Sequence, residues 1–203
     1  MEAYHGKQSK KTAIIKQLKA HAAADELIHG VGWKNGKGCA VGCTLHNYDH
    51  ALYEPRFGIP RSLAYLEDAI FEGLSPEAAQ AWPVRFMGSI APGADLSLVQ
   101  WRFLHWLLTD NSVNPGITHP LVKDAVSQCA ALMKKLADGE KIEDSAWSAA
   151  QSAAESVQSA AWSAWSAARL AARLAVWSKM ADKLIELLAT AGASAPSGEP
   201  PSF

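Results

Sequence analysis

Apolar residues recur along most of the chain at the spacing of one face of a helix. Capping residues, prolines and glycines divide this pattern into four main predicted helices: Ser9 to His29, Pro60 to Gly73, Leu98 to Leu108 and His119 to Gly139. No segment alternates polar and apolar residues for long enough to require a strand. The pattern therefore predicts an all-α fold, an irregular multi-helix bundle.

Local signals refine this outline. A short helix is predicted over Thr44 to Tyr53, and Ser75 is predicted to cap a helix that Pro83 kinks or splits. The helix over Leu98 to Leu108 is strongly apolar, so we expect it at the centre of the fold. The helix that begins at Pro60 carries its acidic residues largely on a different face from its apolar ones: Glu67, Asp68 and Glu72.

The C-terminal part of the chain is a repeat of alanine, serine and tryptophan. Because residues 140–191 contain neither glycine nor proline, we predict a long helix over 144–191, about 70 Å if straight. Its small residues allow another helix to approach closely. Tryptophan and arginine, which are common in interface hot spots, lie on or beside another face: Trp147, Trp162, Trp165, Arg169, Arg173 and Trp177. Either neighbouring helices cover these tryptophans, or they bind a protein partner or a second copy of the chain.

These elements fit a single helical domain over residues 1–191. Within it, a loop rich in glycine and cysteine spans residues 30–43 and the repetitive helix spans 144–191. Residues 192–203 are rich in Pro, Ser and Gly, so we interpret them as a flexible tail. Hydrophobic residues make up 49% of the 203 residues, enough to bury a substantial core.

Composition narrows the class of protein. The chain has 19 Lys and Arg residues against 20 Asp and Glu, whereas nucleic-acid binding usually needs a basic face. No apolar run is long enough to cross a bilayer, and the polar first twelve residues show no secretory signal. Three cysteines are too few, and odd in number, for a disulfide framework. We therefore expect a cytoplasmic protein with reduced thiols, no membrane association and no nucleic-acid partner.

One segment concentrates residues that carry chemistry, with the spacing Cys39-x3-Cys43-x2-His46-x3-His50. Thiolates and imidazoles are the ligands that Zn²⁺ and similar transition metals prefer. If the predicted short helix forms, His46 and His50 share one of its faces. The segment therefore predicts a metal site made by these four side chains.

Other interpretations of the same segment remain open. The four residues are crowded within twelve positions, whereas structural zinc sites usually bring together two pairs that lie far apart in sequence. The glycine-rich loop could bind an anion through backbone N–H groups. Cys39 or Cys43 could act as a nucleophile with His46 as its base. Finally, the cysteines could be small buried apolar groups in a structural loop.

The remaining histidines give weaker signals. His21, Asp25 and His29 are spaced four residues apart, and we interpret them as a polar face of the first helix. Glu26 and His29 match half of a di-iron helix motif, but the chain has no second copy of it.

Several blocks of the sequence resemble an uncharacterised family of bacterial and phage-encoded proteins: GKGCAVGCTLH (36–46), LEDAIFEG (66–73), WPVRF (82–86), GADLS (93–97) and FLHWLL (103–108). The resemblance covers residues 1–190. The repeat also resembles the alanine-rich helical region of immunity proteins. The resemblance implies a phage or prophage accessory protein, and it carries over no site residues.

Two functions follow from these features. The leading interpretation is a non-enzymatic helical protein that binds a partner through its Trp/Arg face, because no complete catalytic set is present. The alternative is a small metal-binding or thiol-dependent enzyme centred on Cys39, Cys43, His46 and His50.

Overall fold

The computed structural model describes residues 2–113, 120–146, 148 and 170–191; within these ranges it places the side chains of all but 120–122 and 170–173. It confirms the all-α prediction. The helices are α1 (Gln8–Ala23), α2 (Ala40–Leu45), α3 (Tyr53–Phe57), α4 (Arg61–Gly73), α5 (Pro76–Ser89), α6 (Val99–Thr109), α7 (Pro120–Ala137) and α8 (Leu170–Thr190). No described helix is both long and apolar enough to cross a membrane.

Most of the predicted boundaries agree with the structure. Helix α4 ends at Gly73, and Ser75 caps α5 by accepting a hydrogen bond from the Ala78 N–H at 3.3 Å. Pro83 does not split α5, because the helix runs unbroken past it; a kink at Pro83 stays a prediction. Pro83 is buried with Trp82 on the core side of α5, and this packing holds the helix together across the missing hydrogen bond.

The first helix is shorter than predicted. Helix α1 ends at Ala23 instead of reaching His29, and Asp25 adopts a left-handed conformation with φ of 51°. Beyond this turn the chain runs beside Gly38, and the Ile28 N–H donates a hydrogen bond to the Gly38 carbonyl at 2.9 Å. The helix ends early because tertiary pairing with a distant loop gives these backbone groups other partners.

A short hairpin replaces part of the predicted glycine loop. Strands β1 (Trp33–Lys34) and β2 (Lys37–Gly38) pair antiparallel. The connecting residues Asn35 and Gly36 have φ of 52° and 79°. Two positive φ values in a two-residue loop are typical of a type I′ turn, for which Asn-Gly is the favoured sequence.

The helix predicted over Thr44 to Tyr53 does not form as one element. Helix α2 ends at Leu45, and His46 adopts a left-handed conformation with φ of 52°. A 3₁₀ turn over His50–Leu52 then leads into α3. His46 and His50 therefore do not share a helix face.

The main core lies between α1, α4, α5, α8 and the N-terminal segment. Its largest fully buried side chains are Trp82, Tyr4, Tyr53, Phe71, Phe86 and Phe103. Helix α6 was expected at the centre, but it lies between this core and a smaller cluster around Leu132 and Met133 of α7. Phe103 faces the main core and Leu104 the smaller cluster, so α6 joins the two.

The structure describes only part of the predicted C-terminal helix. Residues 144–146, 148 and 170–190 are helical, whereas residue 147, residues 149–169 and the predicted tail lie outside the described ranges. The ring of Trp177 packs so closely on Gly73 that a Cβ there would lie 2.1 Å from it. Trp177 is therefore a contact between α8 and α4. The rest of the predicted partner face falls outside the described side chains: Trp147, Trp162, Trp165, Arg169 and Arg173.

Candidate functional site

The two cysteines of the predicted site lie on one buried helix. Cys39 is the N-terminal capping residue of α2, and Cys43 lies one turn later. The Cys43 thiol donates to the backbone carbonyls of Gly38 and Glu26, at 3.5 and 3.6 Å. Burial raises the pKa of Cys43 to about 12. Cys43 thus behaves as a neutral, structural thiol.

The four predicted ligands face different neighbours. His46 stacks on Trp33, with ring centroids 4.8 Å apart, and His50 donates to Asp68 at 3.1 Å. Among the described residues, Cys39 alone of the four belongs to a group of three or more potential ligands whose donor atoms lie within 4.8 Å of one another. That group consists of Cys39, Asp68 and Glu72.

Helix α4 supplies the two carboxylates of this group, which we call the Cys39 centre. Asp68 and Glu72 are four residues apart, so they project from the same face of the helix. The start of α2 brings the Cys39 sulfur within 4.8 Å of one oxygen of each. Two helices distant in sequence thus build the centre.

Neighbouring side chains fix the Asp68 carboxylate in place. Its Oδ2 accepts hydrogen bonds from the Tyr48 hydroxyl at 2.8 Å and from His50 Nε2 at 3.1 Å. His50 is itself held by stacking on Tyr65, with ring centroids 4.3 Å apart. The hydrogen bond to Asp68 is also the main cause that raises the pKa of Tyr48 to about 12. Oδ1 of Asp68 is buried and has no hydrogen-bond partner among the described residues.

The glycine-rich loop lies over the Cys39 centre. The Gly30 N–H donates to both carboxylate oxygens of Glu72, at 2.9 and 3.1 Å. The Gly32 carbonyl lies 3.7 Å from the Cys39 sulfur. The Tyr48 ring covers Gly32 so closely that a Cβ there would lie 2.5 Å from it. The loop therefore adds backbone contacts to two of the three donor side chains.

The electrostatics of the Cys39 centre disfavour a reactive thiolate. Burial, and next the neighbouring Asp68 carboxylate, raise the pKa of Cys39 far above its usual range, so the free thiol is neutral at pH 7. In the described ranges, neither Asp68 nor Glu72 forms an ion pair with a lysine or arginine. A nucleophilic cysteine needs a positive neighbour that lowers its pKa, and Cys39 has a carboxylate there instead.

A second polar group packs against Trp33. His21 Nε2 and His46 Nε2 are 2.8 Å apart, and His21 Nδ1 is 2.6 Å from Glu26 Oε2. Trp33 stacks on His46 and meets His21 edge-on, with ring centroids 5.8 Å apart. We call these two imidazoles and Glu26 the histidine pair.

Sequence reasoning missed four members of these two groups: Asp68, Glu72, His21 and Glu26. The four-residue spacing of Asp68 and Glu72 was a signal, but it is equally typical of a solvated helix face. His21 was interpreted as part of a polar face and Glu26 as half of a helical motif. Both interpretations assumed that α1 continues to His29, and its early end is what turns Glu26 back onto His21.

No protein-family model, curated protein or solved structure matches the chain. The resemblance to the phage-encoded family therefore stays a prediction. Function has to be argued from the geometry of the site.

Proposed function

We propose that this protein binds a divalent transition metal of the zinc class at the Cys39 centre, with a coordination position left open for water or substrate. The observation that carries the proposal is the proximity of Cys39, Asp68 and Glu72, whose donor atoms lie within 4.8 Å of one another. The buried, unpartnered Oδ1 of Asp68 supports it independently, because buried polar atoms normally have a partner.

The spacing suits a metal after a small contraction. Zinc binds thiolate sulfur at about 2.3 Å and carboxylate oxygen at about 2.0–2.2 Å, which places tetrahedral ligand atoms about 3.3–3.6 Å apart. The three donors therefore need to approach one another by about 1.5 Å or less. Glu72 is exposed, so its side chain can make most of that movement, while Asp68 offers its unpartnered Oδ1. The metal displaces the thiol proton of Cys39, which leaves to solvent.

Three protein ligands favour a catalytic over a structural centre. Structural zinc sites are closed by four protein ligands, whereas catalytic sites keep a position for water and lower its pKa towards 7. His50 and Tyr48, which both donate to Asp68 Oδ2, would orient that ligand as outer-shell groups do in metal enzymes. Metal-assisted hydrolysis is the reaction class that fits this arrangement.

The interaction-protein hypothesis stays a prediction. Of the six residues proposed to bind a partner, only Trp177 has a described side chain, and it contacts Gly73 within the fold. The described residues therefore support the metal hypothesis more than the interaction hypothesis.

Cobalt titration tests the proposal directly. Metal-free wild-type protein should bind one Co²⁺ with a sulfur-to-metal charge-transfer band, because thiolate and carboxylate donors hold the ion. Cys39→Ser should abolish the band, and Glu72→Gln should weaken binding at least about 10-fold. Absorption spectra and isothermal titration calorimetry measure both effects, and circular dichroism confirms folding.

Cys43→Ser is the matched control. Cys43 lies in the helix that Cys39 caps and is buried as Cys39 is, but its thiol faces backbone carbonyls. The cobalt band should therefore be unchanged in this variant. Folded wild-type protein that binds no cobalt would overturn the proposal. So would a band that survives Cys39→Ser and disappears in Cys43→Ser. Because Glu72 is exposed, Glu72→Gln should fold even if Cys39→Ser does not.

A further inference from the structure

The two facing imidazole nitrogens of the histidine pair are so close that a proton or a metal ion must lie between them. Two imidazole nitrogens, His21 Nε2 and His46 Nε2, face each other at 2.8 Å. Two lone pairs at that distance would repel, so either a proton or a metal ion has to lie between them. A proton there makes His46 or His21 the donor of a hydrogen bond. A metal would take both nitrogens as ligands.

We propose that the histidine pair is a second metal site, for a divalent ion that prefers imidazole nitrogen, such as Ni²⁺, Cu²⁺ or Zn²⁺. The proposal uses no residue of the Cys39 centre. Imidazole suits these three ions, and histidine binds them as the neutral ring.

The carboxylate behind His21 is the first supporting feature. Glu26 Oε2 lies 2.6 Å from His21 Nδ1, and a carboxylate accepts the proton of that nitrogen. His21 is thereby fixed as the tautomer whose free lone pair is on Nε2, the atom that faces His46. Metal-binding histidines usually donate their other N–H to such a carboxylate, which orients the ring and raises its basicity.

The orientation of both rings is the second supporting feature. His21 is only 9% exposed, and Trp33 contacts its ring edge-on. His46 lies nearly parallel to Trp33, with an interplanar angle of 16°. Its left-handed backbone, with φ of 52°, ends α2 and aims the side chain at His21. Ligands held in this way lose little freedom on binding.

The distance between the nitrogens is the third supporting feature. With metal–nitrogen bonds of about 2.0–2.1 Å, two imidazoles on one ion lie about 2.9 Å apart at a right angle and about 3.4 Å apart at a tetrahedral angle. The observed 2.8 Å must open by about 0.6 Å or less. His46 is exposed, so its ring can shift outwards and its displaced proton can move to Nδ1 through solvent. The exposed side leaves the remaining positions to water or an added ligand.

Nickel titration of the Cys39→Ser variant, or of Glu72→Gln if Cys39→Ser does not fold, tests this site with the Cys39 centre disrupted. Ni²⁺ should bind one equivalent and broaden the imidazole NMR signals of His21 and His46 before those of other histidines. His46→Asn, added to that variant, should weaken Ni²⁺ binding at least about 10-fold. Asparagine tolerates the left-handed backbone at this position, so the variant removes the imidazole without adding strain.

His5→Asn is the matched control, because His5 is also exposed and left-handed, with φ of 50°. It should leave Ni²⁺ binding unchanged. If Ni²⁺ binds equally well without His46, or broadens neither imidazole of the pair, the contact is a hydrogen bond only and the inference is overturned. These outcomes are independent of the cobalt band, so either site can fail without the other.

Discussion

Replacing Gly42 with alanine should destabilise the fold by about 3 kcal/mol or more, because the new methyl group has no space. A Cβ at this position would lie 1.7 Å from the carbonyl oxygen of Gly32, and one at Gly38 would lie 2.2 Å from the same atom. That carbonyl is backbone, so it cannot rotate away as a flexible side chain would. The glycine loop would have to move away from α2. This movement would break the contacts of Gly30 with Glu72 and of Trp33 with His46.

Gly88→Ala is the matched control for this prediction. Gly88 is also helical, in α5, but no atom outside its own helix lies within 4 Å of a Cβ there. Alanine should therefore stabilise the protein by about 0.5–1 kcal/mol through its better helix propensity. Urea unfolding of the two variants measures the contrast. A Gly42→Ala protein as stable as the wild type would show that the loop does not rest on α2.

The stability of the metal-free protein should fall as the pH rises from about 5 to 8, because of the buried carboxyl group of Glu67. Glu67 is 0% exposed, and although its Oε2 accepts from the Tyr53 hydroxyl at 2.5 Å, its Oε1 has no partner among the described residues. Burial raises the pKa of Glu67 from 4.5 to about 8. The sequence pattern predicts Glu67 on the polar face of α4, but its side chain lies in the core.

The direction of the effect follows from which state holds the proton. Below about pH 4.5 the Glu67 carboxyl is protonated in both states and favours neither. As the pH rises towards 8, the unfolded chain ionises while the folded protein keeps its proton, so the free energy of unfolding falls. The slope approaches about 1.4 kcal/mol per pH unit within this window and levels off above it.

Glu67→Gln isolates this contribution, because glutamine stays neutral and its amide oxygen can still accept from Tyr53. We measure chemical unfolding in the presence of a chelator at pH 5, 6, 7 and 8. Between pH 5 and pH 8, the free energy of unfolding of the variant should rise by about 2–4 kcal/mol relative to that of the wild type. In the control Glu77→Gln, the difference from wild type should not change over this range. Glu77 is exposed, and its hydrogen bonds to its own N–H and to Ser75 lower its pKa. A flat difference for Glu67→Gln would mean that its carboxyl group ionises alike in both states.

The sequence alone determined the helices whose signals are local. Pro60 and Gly73 predict where α4 begins and ends, and Ser75 predicts where α5 begins, because capping and helix-ending residues act within one turn. The apolar spacing along α6 and α7 likewise predicts helices there. The same local chemistry singled out the segment around Cys39. The Asn35-Gly36 signal of a hairpin was also present, but two-residue strands are too short to show an alternating pattern.

Only the tertiary structure decided which side chains meet at the candidate sites. The early end of α1 directs Glu26 to His21, and the left-handed His46 turns its ring away from His50 and onto Trp33. Asp68 joins Cys39 because α4 packs against α2. Each of these contacts joins residues from different elements, so it depends on how apolar faces pack. Periodicity along the chain records which face of a helix is buried, but not which distant carboxylate or imidazole that burial brings within reach.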